Sequence, residues 1–327
     1  MTLQPPGSPL AVYAASLRDV MDAAERIAAF SHVTPVVTCA TLDRLAGRNL
    51  FFKCENLQRV GAFKFRGATN AVMKLSEEAA RRGVVTQSSG NHGQALALAA
   101  RLRGIDAHIV MPSNVSRVKR YAVQGYGGRV IECEPTLTAR EQAAAAVQAE
   151  TGAALVHPYN DRDVIAGQGT AALELMRQAP GLQAIVTPVG GGGLLGGTCV
   201  AARGTDASLR IFAGEPRGAD DAARSKAAGE LIPQTAPDTI ADGLLTSLGD
   251  LTWPLVRDEV ERVITVDDGE IVAAMRLAWE RAKLLIEPSA AVALATVLSD
   301  EFRALEGLER VGVVLSGGNV DLDELPW

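Results

Sequence analysis

Lys64 stands in the run Gly61-Ala62-Phe63-Lys64-Phe65-Arg66-Gly67-Ala68, with an aromatic residue on either side. Phe63 and Phe65 are expected to shield the amine from water, which lowers a lysine's pKa and makes it a better nucleophile and base. Such an amine can hold an aldehyde as a Schiff base. A second cluster, Ser88-Ser89-Gly90-Asn91-His92-Gly93-Gln94, offers two hydroxyls, an amide and an imidazole on a turn entering a helix. Its N–H groups suit a substrate carboxylate, Asn91 suits a phenolic oxygen, and a serine hydroxyl suits a position facing a substrate carbon. The plainer reading is that Ser88 or Ser89 caps the helix beginning near Asn91.

Pro188-Val189-Gly190-Gly191-Gly192-Gly193-Leu194 follows one apolar run and opens another. Four residues without side chains at a helix N-terminus make an anion cradle suited to a phosphate. Gly191, Gly193 and Gly196 also spell a literal GxGxxG, with Glu215 at the end of a later strand, which would suit a dinucleotide. That motif normally sits at the first strand of its unit, and no Walker-type lysine follows the glycines. Ser316, ahead of Gly317-Gly318, is either a turn serine or a hydroxyl placed to hydrogen-bond a ring nitrogen without protonating it.

Short apolar runs alternate with alanine-rich helical stretches and so position these residues. Strands are expected at 84–87, 107–111, 129–132, 184–187, 210–213, 262–266 and 311–315. Helices are expected at 95–103, at 118–126 and through the alanines of 143–146. Strands alternating with helices imply parallel sheets covered on both faces, so the fold class is α/β. Open parallel sheets bind ligands at the carboxyl ends of their strands. The three polar glycine clusters each fall directly after an expected strand. Residues 1–10, with Pro5-Pro6-Gly7, read as a loose tail.

At 327 residues, about two domains are expected. The 47% hydrophobic and 21% charged content is that of an ordinary soluble globular protein. A net charge of −6 argues against nucleic acid or an anionic membrane as partner. No leader-like segment and no bilayer-length apolar run is evident, so a cytoplasmic protein is expected. Cys39, Cys54, Cys133 and Cys199 have no CxxC or Cys/His spacing, which fits reduced thiols.

Taken together, the Lys64 run, Ser88 to Gln94, Gly190 to Gly193 and Ser316-Gly317-Gly318-Asn319 resemble the fold type II pyridoxal-phosphate enzymes. Within that group the chain is similar to the serine/threonine dehydratases and serine racemases. Asn49 to Glu55, Ala166-Gly167-Gln168-Gly169-Thr170, Trp253-Pro254 and Leu284 to Ser289 share the likeness, which runs from about Arg18 to Leu322.

The resemblance implies two open, twisted parallel-sheet domains with the cofactor in the cleft between them. The large domain would comprise 1–77 and 160–327, with 78–159 inserted as the small one. It implies that Lys64 holds pyridoxal 5′-phosphate and then acts as the base at Cα. Phe63 would pack on the ring, Asn91 bind the 3′-hydroxyl, Gly190, Gly191, Gly192 and Gly193 bind the phosphate, and Ser316 bind the pyridine nitrogen. Ser89 would be the base on the opposite face, which racemisation requires and dehydration does not. Ser88, Ser89, Asn91 and His92 would contact the substrate.

The resemblance also implies a divalent cation (magnesium, calcium or manganese) held by the Glu215 and Asp221 carboxylates and the Ala219 carbonyl. Spacing alone would leave that acidic cluster a solvated loop. A homodimer is implied as well. The chain ends soon after Ser316, so no C-terminal regulatory domain is expected. Two departures bear on substrate: Ala62 stands where the family commonly has serine, and Gln87 where racemase-like members often have histidine. Arg140 is either a solvated helix arginine or a group reaching the site to favour a distal carboxylate, as in 3-hydroxyaspartate. A nicotinamide-dependent dehydrogenase and a non-catalytic amino-acid-binding module are the alternatives from other classes. Both leave Lys64 without a task.

Overall fold

The structure, a computed structural model, describes residues 13–88, 90–115 and 117–327. The tail expected at 1–10 and Ser89 lie outside the described residues. Among the described residues there are ten strands: β1 Val36–Val37, β2 Asn49–Cys54, β3 Val84–Thr86, β4 Ala107–Pro112, β5 Arg129–Cys133, β6 Ala154–Leu155, β7 Ala184–Pro188, β8 Arg210–Pro216, β9 Arg262–Val266 and β10 Arg310–Leu315. They form two sheets. The larger has the order β1-β2-β10-β7-β8-β9, and the smaller has the order β5-β4-β3-β6. All pairs are parallel except β1 with β2.

Parallel strands buried on both faces need apolar residues at successive positions. In β10 the register sets Val313 against Phe52 of β2 and Val186 of β7. Val313 faces the core holding Phe52, Phe212 and Leu294, while its neighbour Val314 faces the core holding Ile185, Leu195 and Ile211. The period of two thus splits one strand between two helical layers. Over the second layer the helices Arg162–Gln178 and Gly193–Thr205 cross at glycines. A Cβ on Gly197 would stand 2.4 Å from the Ile165 carbonyl oxygen and 2.5 Å from Gly169 N. Only glycine permits that approach.

The strands expected from sequence are present, with bounds shifted by one residue in most and by three in β8. β4 carries on through Pro112, which pairs with Cys133 at the strand's last position, where a missing N–H is tolerated. β8 runs to Pro216. The helix expected from Ala95 begins at Asn91, because its first turn is polar and follows the ligand-facing turn. β2 carries Lys53 one residue from its end, which interrupts its apolar pattern. Lys53 is fully buried because its amine meets Glu174 at 2.6 Å and the Thr34 carbonyl at 2.7 Å.

Arg66 extends this cluster. Its guanidinium, also fully buried, donates to Glu55 at 2.7 and 2.8 Å and to Glu174 at 2.7 and 2.8 Å. Leaving one partner of such a pair unpaired in the interior costs about 3–5 kcal/mol. The cluster therefore ties the helix Lys64–Lys74, and with it Lys64, to the end of β2. Among the described residues, no helix is long and apolar enough to cross a membrane. The four cysteines are free.

Candidate active site

A cleft of about 520 Å³ opens at the carboxyl ends of β3, β7 and β10, with the two sheets on either side. The three glycine-bearing turns found in the sequence all reach it. Lys64 lines it as the first residue of its helix, and its Nζ donates to the Pro158 carbonyl at 2.7 Å. Burial lowers the Lys64 pKa to about 8, a fall that Glu287 opposes in part. Phe63 shields the amine, which lies 5.1 Å from the ring centre. Phe65 does not. It is fully buried with Leu96 and Ile109 in the core beneath the smaller sheet, because helical neighbours point about 100° apart.

The end of β10 docks directly on the segment before Lys64. The Phe63 N–H donates to the Ser316 carbonyl at 3.0 Å, and Ala62 bridges to Gly317. Ser316 is buried and lines the cleft. On the other side of Lys64, Gly190 to Gly193 line the cleft and open the helix Gly193–Thr205, whose N-terminus no side chain caps. Gly192 takes φ 84°, a left-handed conformation that favours glycine.

The loop is also walled from behind. A Cβ on Gly191 would lie 2.2 Å from Tyr159 Cγ, and one on Gly190 would lie 3.0 Å from Leu244 Cα. The Gly191 carbonyl accepts from Thr252 Oγ1 at 2.8 Å. Tyr159 itself packs edge-on to His157, with the ring centres 4.6 Å apart.

Of the Ser88 to Gln94 turn, Ser88, Asn91 and His92 line the cleft. The N-cap position of the helix is Gly90, and among the described residues no side chain caps it. Asn91 belongs to a polar chain. Its Nδ2 donates to Glu287 at 2.9 Å, and its Oδ1 accepts from Asn319 Nδ2 at 2.8 Å. His92 is buried, its Nε2 lies 3.1 Å from the Val156 carbonyl, and burial next to Lys64 lowers its pKa to about 3. It is therefore a neutral ring, donating through Nε2 rather than carrying charge.

Glu287 is one of the cleft residues that sequence reasoning missed, with Tyr159, Lys119 and Asp242. It is buried, receives the Asn91 amide and the Asn319 N–H at 3.0 Å, and burial pushes its pKa up to about 8. The signal available was one carboxylate between Leu284-Leu285-Ile286 and Pro288, a charge in otherwise apolar company. Arg140, on the helix Leu137–Thr151, lines the cleft, with Nε 3.4 Å from the Thr136 carbonyl.

Glu215, Ala219 and Asp221 lie together but away from the cleft wall, all buried. The Glu215 carboxylate accepts from Ala222 N and Ala223 N, both at 2.8 Å. Asp221 Oδ2 accepts from Leu248 N at 2.9 Å, while Oδ1 has no hydrogen-bond partner. Burial raises the pKa of Glu215 to about 8 and that of Asp221 to about 6. Among the described residues no three Asp, Glu, His or Cys side chains gather as a metal cluster.

A shielded amine, a glycine cradle and a buried hydroxyl thus surround one cleft of an α/β fold. Residues 27–317 match the family model described as pyridoxal-phosphate dependent enzyme, and the chain belongs to that family. It is 52% identical over 316 residues to a serine racemase of Arabidopsis thaliana, covering 96% of both chains. It is 51% identical over 316 residues to a beta-hydroxyaspartate dehydratase of Paracoccus denitrificans, covering 97% of this chain and 100% of that one. The solved structure of maize serine racemase superposes with a TM-score of 0.94 at 49% identity, covering 95% of each chain. The chain is an enzyme of this racemase and ammonia-lyase type, with the fold type II architecture. The residues present fit the cofactor: the cradle has no room for a Cβ at Gly191, the helix N-terminus beside it is uncapped, and the amine opposite is held largely out of water.

Proposed function

We propose that the enzyme converts a β-hydroxy amino acid, L-serine or L-threonine, to its 2-oxo acid and ammonia, and that it also interconverts the enantiomers of serine. The observation that carries this reading is Lys64, its amine in the cleft between the glycine cradle, Ser316 and the Asn91 turn. Pyridoxal phosphate, when bound, supplies an electron sink for negative charge at Cα. Lys64 would hold its aldehyde, Gly190 to Gly193 its phosphate, Asn91 its 3′-hydroxyl, Ser316 its ring nitrogen and Phe63 its face.

The residues' own properties support these roles. With a pKa of about 8, roughly a tenth of Lys64 amines are neutral at pH 7, against fewer than about one in a thousand at lysine's usual value. A neutral amine can take the Cα proton. A serine partner leaves the pyridine nitrogen unprotonated, so proton removal depends the more on Lys64. The N–H groups at Gly90 to His92, with Ser88, suit the substrate carboxylate. Ser89 is assigned the base on the face opposite Lys64, and closure of 78–159 against 1–77 and 160–327 would exclude water from the reacting carbon.

Arg140 favours a second reading, a substrate with a distal carboxylate such as 3-hydroxyaspartate, because it lines the cleft. One relative is a dehydratase of that compound by name. We further propose a divalent cation at Glu215, Ala219 and Asp221. The unpartnered Asp221 oxygen and two buried carboxylates support it, and the ion would tie down the loop without a part in bond-breaking. A cytoplasmic homodimer completes the reading.

The test is a panel of L-serine, D-serine, L-threonine and 3-hydroxyaspartate, measuring 2-oxo acid and enantiomer together. We expect oxo acid from at least one of them and D-serine from L-serine. We expect Ser89→Ala to lose racemisation while keeping part of the elimination, and Arg140→Ala to raise KM for 3-hydroxyaspartate more than for serine. Absence of ammonia release from all four compounds would refute the reading.

A further inference from the structure

Among the described residues, Lys119 and Asp242 make the ion pair that joins the two sides of the cleft: Nζ to Oδ2 is 2.6 Å. Lys119 lies on the helix Arg117–Gly125, which covers the smaller sheet. Asp242 opens the short helix Asp242–Leu244 on the side of the larger one. Both side chains line the cleft and both are partly open to water, at 38% and 52%.

What Asp242 is attached to matters more than the pair's own strength. Its segment runs directly into the wall behind the glycine cradle. Leu244 and the Thr246 hydroxyl abut Gly190, and Thr252 binds the Gly191 carbonyl. Gly243 N is held in turn by Ser289 Oγ at 2.9 Å. On the far side, Lys119 and Ala122 present one face of their helix to the cleft, three residues apart. The ion pair thus joins the outer helix of one side to the wall behind the cradle on the other, at a point of the cleft that is partly open to water.

We propose that Lys119 and Asp242 form a latch that holds the cleft closed over the cofactor, acting as positioning residues rather than catalytic ones. The proposal rests on the assigned cofactor site. Only its KM measurement also rests on the substrate reading. An exposed pair of this kind changes an equilibrium by about two- to fivefold and weakens with salt.

The experiment compares Lys119→Asp, Asp242→Lys, the doubly reversed variant and the milder Asp242→Asn, all as holoenzyme. Two measurements need no substrate: the rate at which cofactor absorbance leaves the protein, and acrylamide quenching of cofactor fluorescence. Each single reversal is expected to release cofactor about two- to fivefold faster, with more quenching and a KM raised by a similar factor. Asp242→Asn should fall between wild type and the reversals. The double reversal should return release and quenching towards wild type, and 0.5 M sodium chloride should shrink the differences, because both charges are partly exposed and salt shortens the Debye length to about 4 Å. Wild-type release and quenching in the single variants, or a double variant no better than either single, would overturn the latch. Rescue of release and quenching with no turnover on any β-hydroxy amino acid would uphold the latch and refute the substrate reading alone.

Discussion

Gly191→Ala adds a single carbon where the structure has none to spare. The Cβ would stand 2.2, 2.3 and 2.4 Å from three ring carbons of Tyr159, more than 1 Å inside ordinary contact. The ring cannot swing aside freely, since it sits edge-on to His157 and its stem packs against Gly193. Either the ring gives up those contacts or the cradle moves off its position. Overpacking of that order costs about 1–3 kcal/mol. If the cost falls on the cradle, it weakens cofactor binding by about 5- to 150-fold. Equilibrium titration of the cofactor-free protein by absorbance measures this, with circular dichroism to confirm that the variant is folded. In a Tyr159→Ala background the clash is gone, so Gly191→Ala should then cost far less, a coupling that a double-mutant cycle reads directly. Wild-type affinity for Gly191→Ala, or an equal loss with and without Tyr159, would refute the reasoning.

Lys64 carries a pH prediction. Its folded pKa, about 8, lies below the usual 10.5, so between those values the unfolded chain binds more protons and stability from this group rises with pH. The full burial penalty applies below pH 8. Cofactor-free Lys64→Met should therefore be more stable than wild type by about 1–3 kcal/mol at pH 7, with the gap closing towards pH 10.5. A gap in denaturant unfolding that stays constant from pH 7 to 10 would count against this. For the proposed cation, magnesium added after a chelator should raise the melting temperature by roughly 3–8 °C, and Asp221→Asn should abolish the rise. Identical melting and activity with chelator and with magnesium would remove the ion from the account.

The parts of the site that were legible in sequence are those carried by local chemistry. Gly190 to Gly193 and Ser316 announce themselves because each follows an apolar strand and because ligand-facing backbone needs residues without bulk. Lys64 announces itself by its neighbours, although only one of the two aromatics proved to shield it. The periodicity of Val311 to Leu315 and Ala184 to Thr187 was enough to place strands, since parallel strands must be apolar on both faces. What was hidden is what depends on distant partners. Glu287 is bound in the cleft by Asn91 and Asn319, and Tyr159 backs Gly191 across 32 positions of chain. Lys53 reads as a break in a strand until Glu174, 121 residues on, neutralises it. Lys119 and Asp242, 123 residues apart, belong to the same class.

The central claim is that Lys64 is the residue that bonds the cofactor aldehyde. Reduction of the holoenzyme with borohydride, followed by peptide mass analysis, fixes that bond in place and locates it. The account expects the pyridoxyl-phosphate mass on Lys64, and neither the mass nor the visible cofactor band in Lys64→Ala. The modification on any other lysine, or an unaltered band in Lys64→Ala, would contradict it.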